Sequence, residues 1–202
     1  LADGSQVFLN GNSKLRYPEK FGDDSRVVEL SGEAFFEVRS NPEKPFRIAA
    51  GQTITQVLGT SFNLRARDDE PEVSVVVVTG KVALIDRKNR KNRLLLTKGQ
   101  KGTYNPVDRS MKRSTNDDLN FLSWQTGILS FRKTPLSEVA QMLTQHYGTS
   151  VTLKGANFAD CRFTSTFDNK TLEEVGEVIQ LSLDAQVSFQ NNAMVIEGKG
   201  CQ

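Results

Sequence analysis

The sequence predicts an all-β N-terminal domain followed by a small α+β domain. Up to about residue 115, runs rich in valine, isoleucine, phenylalanine and threonine alternate with glycines, and no helical periodicity persists. After Trp124 the pattern becomes strand, helix, strand, and it occurs twice. We therefore expect a β domain over residues 1–115, a linker or short helix over 116–126, and an α+β domain over 127–202.

Glycines punctuate the strands of the first region. Gly32, Gly59 and Gly80 each lie two residues after an apolar residue and precede another strand-like run. Glycine permits a bulge or a tight bend, so we expect the chain to pass there from one sheet layer to the next. The irregular spacing favours a sandwich or a short, distorted β-helix. The predicted strands lie in SQVFLN, RVVELSGEAFFEV, PFRIAAG, ITQVLGTSFNLRA, VSVVVVTGKVALI and LLLTKGQKGTY.

A helix is predicted in TPLSEVAQMLTQHYG, between the strands ILSF and SVTL. Thr134 is a candidate N-cap, Pro135 suits the first helical position, and Gly148 suits the C-terminal stop. The apolar residues at helical spacing are Leu136, Val139, Ala140, Leu143 and Tyr147.

The pattern then recurs in CRFTSTF, TLEEVGEVIQLSL, QVSF and AMVI, where Thr171 and Glu174 have the spacing of a capping box. Shifting the sequence by 36 residues aligns the two segments. We therefore predict two βαβ units, with two helices on one face of a sheet, in which residues 128–131 correspond to residues 163–167. The matched pairs are Phe131 and Phe167, Leu136 and Leu172, Glu138 and Glu174, Val139 and Val175, Leu143 and Ile179, and Val151 and Val187.

Composition is that of an ordinary globular protein, with 37% hydrophobic and 25% charged residues. The longest apolar runs, such as Val75 to Val78, are too short to cross a bilayer. Because the chain opens at Leu1, we expect it to be a fragment of a longer protein whose targeting or anchoring segment lies upstream. The basic cluster DRKNRKNR is either an anion-binding patch or a polar hairpin tip, and the absence of neighbouring aromatics favours the tip.

The sequence offers no catalytic constellation. His146 is the only histidine, which excludes a His-rich metal site. We expect it to be solvated in the last turn of the first helix, where the helix dipole favours the imidazolium. The acidic cluster Asp68-Asp69-Glu70 is typical of a turn, and the alternative of a calcium site lacks the spaced loop pattern. We therefore predict no enzyme, no cofactor and no metal ligands.

Several motifs resemble a known family. The run DGS at Asp3, then Leu9-Asn10, RVVELSGEAFFEV, Pro45-Phe46, VLGTSFNLRA and Gly80-Lys81-Val82 resemble the periplasmic domain of FecR-type sigma regulators. The part from WQTGILSF through TPLSEVAQML and FTSTFDNKTLEEV resembles the C-terminal domain of the Bacteroidetes members. That domain is in turn similar to the short N-terminal domains of secretins and TonB-dependent transducers.

The resemblance implies a signal relay. The chain would be the periplasmic, soluble part of a single-pass inner-membrane anti-sigma factor. It would sense the signalling domain of a TonB-dependent outer-membrane transporter. An extracytoplasmic-function sigma factor would be bound by a cytoplasmic segment that this sequence lacks, and membrane contact would come only through a missing upstream helix. No nucleic-acid partner is implied.

Two other functions stay open at this stage. A carbohydrate or cell-wall binding module would expose a row of aromatics, for which Tyr17, Phe21 and Tyr104 are the candidates. An envelope assembly domain would self-associate, as the likeness to secretins allows.

The partner-binding residues are predicted in the second domain, in the strand 163–167 and the helix 172–183. Strand alternation also places Phe163, Ser165 and Phe167 on one face, which is the pattern of a core. The candidates are Phe163, Phe167, Leu172, Glu173 and Glu177.

Two further pairs of residues carry predictions. Cys161 and Cys201 flank strands that we expect to be neighbours, and the periplasmic location implied by the resemblance would allow a disulfide between them. Trp124 and Gly127 lie at the seam between the domains. We expect Trp124 to be an interdomain anchor, or a hinge through which docking on one domain is felt by the other, and Gly127 to let the chain turn into the new sheet.

Overall fold

A computed structural model of the chain describes residues 1–155, 158–183, 185–190 and 192–199. The chain forms two compact units, Leu1–Asp117 and Asp118–Gln202. The predicted fold class is confirmed, because the first unit is all-β and the second is α+β.

The first unit is built from two sheet layers that share one long strand. Strand β3 (Arg26–Glu37) pairs with β2 and β4 along its first half and with β1 and β6 along its second half. One layer has the order β2-β3-β4-β5-β8-β9, and the other β1-β3-β6-β7-β10-β11. The other strands are β1 (Gln6–Leu9), β2 (Lys14–Arg16), β4 (Phe46–Ala50), β5 (Thr53–Val57), β6 (Ser61–Ala66), β7 (Val73–Thr79), β8 (Lys81–Asp86), β9 (Arg93–Thr97), β10 (Gln100–Tyr104) and β11 (Met111–Thr115).

The three glycine positions mark the passages between these layers. Gly32 divides the two halves of β3, Gly59 connects β5 to β6, and Gly80 connects β7 to β8. Gly32 has a φ of +106°, a backbone angle that residues with a side chain rarely adopt. At Gly59 a Cβ would lie 2.5 Å from the Cα of Ser40. The predicted role of these glycines is therefore confirmed.

Apolar side chains fill the space between the layers. The fully buried ones include Phe36, Phe46 and Phe62, and the rings of Phe36 and Phe62 stack 5.3 Å apart. The terminal strands β9 and β11 lie beside each other, so the sheet curls into a near-barrel. Closure of this kind removes open edges along that side.

Buried charges link the motifs of the first unit. Arg26 is 2% exposed, and its Nη1 donates to Asp3 at 2.7 Å and to the carbonyl of Arg39 at 2.8 Å. In the GEAFFEV motif, buried Glu33 accepts hydrogen bonds from Asn10 and Asn63, each at 2.9 Å. The residues that carry the family resemblance therefore hold the strands of this unit together.

The basic cluster forms a hairpin tip between β8 and β9, as its composition favoured. Asp86 accepts the backbone N–H groups of Lys88 and Asn89. Burial pushes the pKa of Asp86 upward, but these hydrogen bonds and the Tyr104 hydroxyl hold it below its usual value. The carboxylate thus fixes the turn.

The second unit repeats the order strand, helix, strand. The first strands of the repeats, β12 (Ile128–Pro135) and β14 (Arg162–Asp168), form a two-stranded antiparallel sheet. The strands after the helices join a second sheet of order β13-β16-β15, in which β13 and β16 are parallel. The remaining elements are α1 (Ser123–Thr126), α2 (Leu136–Tyr147), β13 (Ser150–Lys154), a 3₁₀ turn (Phe158–Asp160), α3 (Leu172–Leu183), β15 (Gln186–Gln190) and β16 (Ala193–Glu197).

Equivalent residues of the two repeats share one core. Phe131 and Phe167 are both buried, and their ring centroids lie 6.2 Å apart. Val139 and Val175 are likewise buried at matching helical positions. The 36-residue offset therefore describes a structural repeat, although the two strands of each unit lie in different sheets.

The caps of the helices follow the prediction in part. The capping box at α3 is present, with the Thr171 N–H donating to Glu174 Oε2 at 2.8 Å and the Glu174 N–H donating to Thr171 Oγ1. Gly148 ends α2 with a φ of +67°. The predicted N-cap of α2 is wrong, because Pro135 is the N-cap residue and Thr134 Oγ1 accepts the Arg132 N–H instead. A short helix does form within residues 116–126, at Ser123–Thr126.

Candidate partner-binding surfaces

The predicted partner-binding residues divide by burial. Phe163, Phe167 and Leu172 are at most 6% exposed and belong to the core of the second unit, as strand alternation indicated for the two phenylalanines. Glu173 and Glu177 are exposed on α3. Only these two side chains of the five can contact a partner without unfolding the unit, and their binding role stays a prediction.

The exposed side of α3 combines acidic and apolar residues. Glu173 and Glu177 lie one turn apart, and Leu181 continues the same line at 85% exposure. Glu174 is engaged by Lys170 at 2.7 Å. The resulting surface is an acidic strip ending in an apolar side chain, which suits a partner with basic and apolar groups.

The outer edge of β12 is covered by side chains from its own unit. Asn120 Oδ1 accepts the Ser130 N–H at 2.7 Å, and Asn120 Nδ2 donates to the Ser130 carbonyl at 2.9 Å. The Asn120 amide thus makes the two hydrogen bonds that a neighbouring strand would make with Ser130. Thr126 Oγ1 accepts the N–H of Ile128, and Thr134 Oγ1 accepts that of Arg132. Another strand cannot add to this edge while these hydrogen bonds persist.

The outer edge of β14 differs from that of β12. Because Ser130 directs its N–H and carbonyl toward Asn120, its neighbours Leu129 and Phe131 direct theirs toward β14, opposite Phe167 and Ser165. The even-numbered residues of β14 therefore direct their backbone groups away from β12. Within the described residues no strand pairs with that edge, and no backbone group bonds the outward N–H of Thr164 or Thr166. This edge is open.

A groove follows the free side of β13. It has a volume of about 350 Å³ and is lined by α2 and β13, including Gln141, Gln145 and Leu153. Thr144 Oγ1 already accepts the Val151 N–H, so the strand edge is partly occupied. A helix beside an edge strand is the arrangement that peptide-binding domains use for strand addition.

The seam residues belong to the start of the second unit. Gly127 ends α1 with a φ of +70°, and a Cβ there would lie 2.1 Å from Asn169 Oδ1, so the predicted turn requires glycine. Trp124 lies in α1 and is half-buried. Its indole N–H is buried, and among the described residues none accepts it. The interdomain role of Trp124 stays a prediction.

The described residues contain one of the two cysteines of the predicted disulfide. Cys161 is 1% exposed and leads into β14. Cys201 lies outside the described residues. The bridge between them stays a prediction.

The histidine and the acidic cluster, which the sequence offered as catalytic or metal-binding candidates, contact other side chains of the chain. His146 is half-buried against Tyr147, with ring centroids 4.8 Å apart, and burial lowers its pKa, the opposite direction to the one expected from the helix dipole. Glu70 of the acidic cluster is paired with Arg65 and Arg67. In the described part of the chain, no group of histidine, cysteine or acidic residues has the arrangement of a metal site.

The aromatic candidates for carbohydrate binding do not form an exposed row. Tyr104 is fully buried and its hydroxyl contacts Asp86, while Phe21 is half-buried and packs edge-on against Phe46. Tyr17 is the exposed member of the three, at 54%. The surface expected of a carbohydrate module is therefore not formed by these residues.

Comparison with known proteins places the chain in a family. Residues 1–83 match the family described as FecR protein, and residues 128–196 match the family described as FecR, C-terminal. A crystal structure of a Parabacteroides distasonis protein assigned as an anti-sigma factor is 32% identical and has a TM-score of 0.69; the match covers 98% of this chain and 92% of that one. The chain belongs to the FecR family. A second crystal structure of such an anti-sigma factor from that organism has a TM-score of 0.68 at the same identity and coverage. No curated protein matches the sequence.

Membership of the FecR family identifies the chain as a FecR-type anti-sigma regulator, with a regulatory role. Among the helices of the described residues, none has the length and apolar character needed to span a bilayer. The likeness of the second unit to the short domains of secretins and transducers stays a prediction.

Proposed function

We propose that this FecR-family chain is the periplasmic sensor portion of a membrane-anchored anti-sigma factor. It receives a signal from the signalling domain of a TonB-dependent outer-membrane transporter and relays it to an extracytoplasmic-function sigma factor. The sigma factor is bound by a cytoplasmic part of the protein, and an upstream helix crosses the inner membrane. The chain therefore acts by binding protein and not by catalysis.

The observation that supports this placement is the contrast between the two units. In the first unit the layers close on each other, and the edge strands β1 and β2 are only four and three residues long. Short edge strands discourage strand addition. The second unit has the groove beside β13, where a helix lies next to an edge strand, and the acidic strip on α3. We place the docking of the signalling domain on the second unit.

Titration of the isotope-labelled chain with the purified signalling domain tests the placement by nuclear magnetic resonance. Chemical-shift changes are expected in the second unit, centred on α3 and its neighbouring strands. Reversing the charge with Glu173→Lys and Glu177→Lys together should weaken binding by about tenfold, since each lost ion pair at a rim contributes up to about 1 kcal/mol.

The matched control is Glu19→Lys, an exposed acidic residue of the first unit. It changes the net charge in the same direction, so it reports non-specific electrostatic effects on binding. Shift changes confined to the first unit, or equal weakening by Glu19→Lys, would contradict the placement.

A further inference from the structure

The open edge of β14 has an internal symmetry in its sequence. The strand reads Arg-Phe-Thr-Ser-Thr-Phe-Asp from Arg162 to Asp168. About the central Ser165 the threonines and phenylalanines mirror each other, and the two ends carry opposite charges. A two-fold axis through Ser165 would therefore place each residue opposite a suitable counterpart in a second copy.

We propose that β14 pairs antiparallel with β14 of a second copy of this chain, centred on Ser165. The resulting sheet has four strands, in the order β12-β14-β14-β12. Because the interface is isologous, Arg162 of each copy faces Asp168 of the other, and Thr164 faces Thr166. The proposal is independent of the signal-relay function.

The backbone geometry fits this pairing. In an antiparallel ladder centred on an odd-numbered residue, even-numbered residues oppose even-numbered residues. The even-numbered residues of β14 are those whose backbone groups face away from β12. Thr164 and Thr166 would thus exchange both N–H···O bonds with their counterparts. The core side chains Phe163 and Phe167 keep their places, because pairing uses the strand edge and not its buried face.

Charge specifies the register. The side chains of Arg162 and Asp168 are both on the exposed face of the strand. Arg162 has partners within its own chain, including the Cys161 carbonyl, and pairing with Asp168 of the other copy would add to them, since a guanidinium carries five N–H donors. Moving the centre to Thr166 would bring Arg162 toward Lys170 of the other copy, and moving it to Thr164 would bring Asp168 toward Asp160. Like charges opposite each other disfavour both slips.

The β12 edge of the ribbon is covered and the β14 edge is not, which supports a second strand as the partner of β14. The helices of the unit support the ribbon of β12 and β14 on its core face, so its two edges are the places where a further strand could add. The β12 edge is covered by Asn120, Thr126 and Thr134, so the sheet can grow only at β14. A second copy is favoured over a foreign strand because the strand is complementary to itself in both sequence and charge.

Sedimentation of the full chain tests the proposal over a concentration series up to about 1 mM, because interfaces below about 1,200 Å² are commonly weak. A concentration-dependent dimer is expected. The variants Arg162→Asp and Asp168→Arg each place like charges opposite at both ends, and each should weaken self-association by about tenfold.

Mixing the two variants provides the decisive control. A pair made of one Arg162→Asp chain and one Asp168→Arg chain again has opposite charges at both ends, so the mixture should associate to within about twofold of the parent. This rescue separates a pairing role from a folding defect, which circular dichroism of each variant checks. A monomer at every concentration, or a dimer that the single variants leave unchanged, would overturn the proposal. So would binding of the transporter signalling domain at this edge by a chain that never self-associates.

Discussion

Asp3 and Arg26 show how single residues hold the first unit together. The Arg26 side chain is almost completely buried, and its Nη1 donates to the Asp3 carboxylate, which also accepts two hydrogen bonds from Ser5. Another guanidinium N–H, at Nη2, is buried and meets no acceptor among the described residues. Removing the negative charge would leave a buried cation with less compensation, and such a change is costly.

The variant Asp3→Asn should lower the free energy of unfolding by about 3 kcal/mol, measured by chemical denaturation. Asp23→Asn is the matched control, since Asp23 is exposed on the surface of this unit. Equal stability of the two variants would contradict a structural role for the Asp3–Arg26 pair.

The pH dependence of stability follows from the same pair. Burial pushes the pKa of Asp3 upward, but hydrogen bonds from Ser5 and Arg26 outweigh burial and hold the pKa below the usual 3.8. A carboxylate with a lowered pKa contributes stability in full above its unfolded pKa, and the contribution is lost as the pH falls through the folded value. We expect unfolding free energy to fall in this acidic range in the parent and to fall less in Asp3→Asn, in a pH series of denaturant titrations.

A disulfide between the two cysteines is a further prediction about single residues. Titration of the denatured, unreduced chain with a thiol reagent should find no free thiol if Cys161 and Cys201 are bridged. Closing a loop of about 40 residues would contribute about 4 kcal/mol in the loop-entropy model. Two reactive thiols per chain would contradict the bridge.

At the scale of the elements, the glycines at which the chain crosses between the two layers leave no room for a side chain. Gly59→Ala would bring a methyl group within 2.5 Å of the Ser40 backbone, so β5 or β6 would have to move. We expect a loss of about 2 kcal/mol in denaturation experiments. Gly11→Ala is the control, because nothing lies within 4 Å of its added Cβ, and it should change stability by less than about 0.5 kcal/mol.

Local patterns predicted the elements well where the signal is short-range. The capping box of α3, the stop at Gly148 and the hairpin at DRKNRKNR are each set by residues a few positions apart. The strands β2 and β11 were not predicted, because three or five largely polar residues carry no alternation that marks a strand. They form through pairing with β3 and β10, which only the tertiary structure supplies.

The burial of the candidate partner-binding residues was predictable only in part. Alternation already placed Phe163 and Phe167 on a core face, and Leu172 lies in the helical stripe that packs on the same core. The cover over the β12 edge depends on Asn120, ten residues before Ser130, and amide pairing of that kind leaves no sequence signal. The open β14 edge could therefore be recognised only after the hydrogen bonds of both strands were known.

For the whole molecule, Trp124 offers a single optical probe because the chain contains one tryptophan. If Trp124 is a hinge, its emission should change when the transporter signalling domain binds, measured by fluorescence titration. An unchanged emission at saturation would count against the hinge and leave the anchor. Tyrosine absorbs at shorter wavelengths than tryptophan, so excitation near the red edge of the indole band reports on Trp124 and not on the tyrosines.

Asn120 also determines where the second unit can be cut for study. A fragment starting at residue 127, where the sequence alone places the domain, would lack the amide that covers Ser130 and the Thr126 hydroxyl that covers Ile128. Such a fragment would expose both edges of its ribbon and should aggregate, whereas one starting at Asp118 keeps one edge protected. The nine residues 118–126, which the sequence indicates as linker, thus act as a solubility element, and light scattering of the two fragments would show the difference.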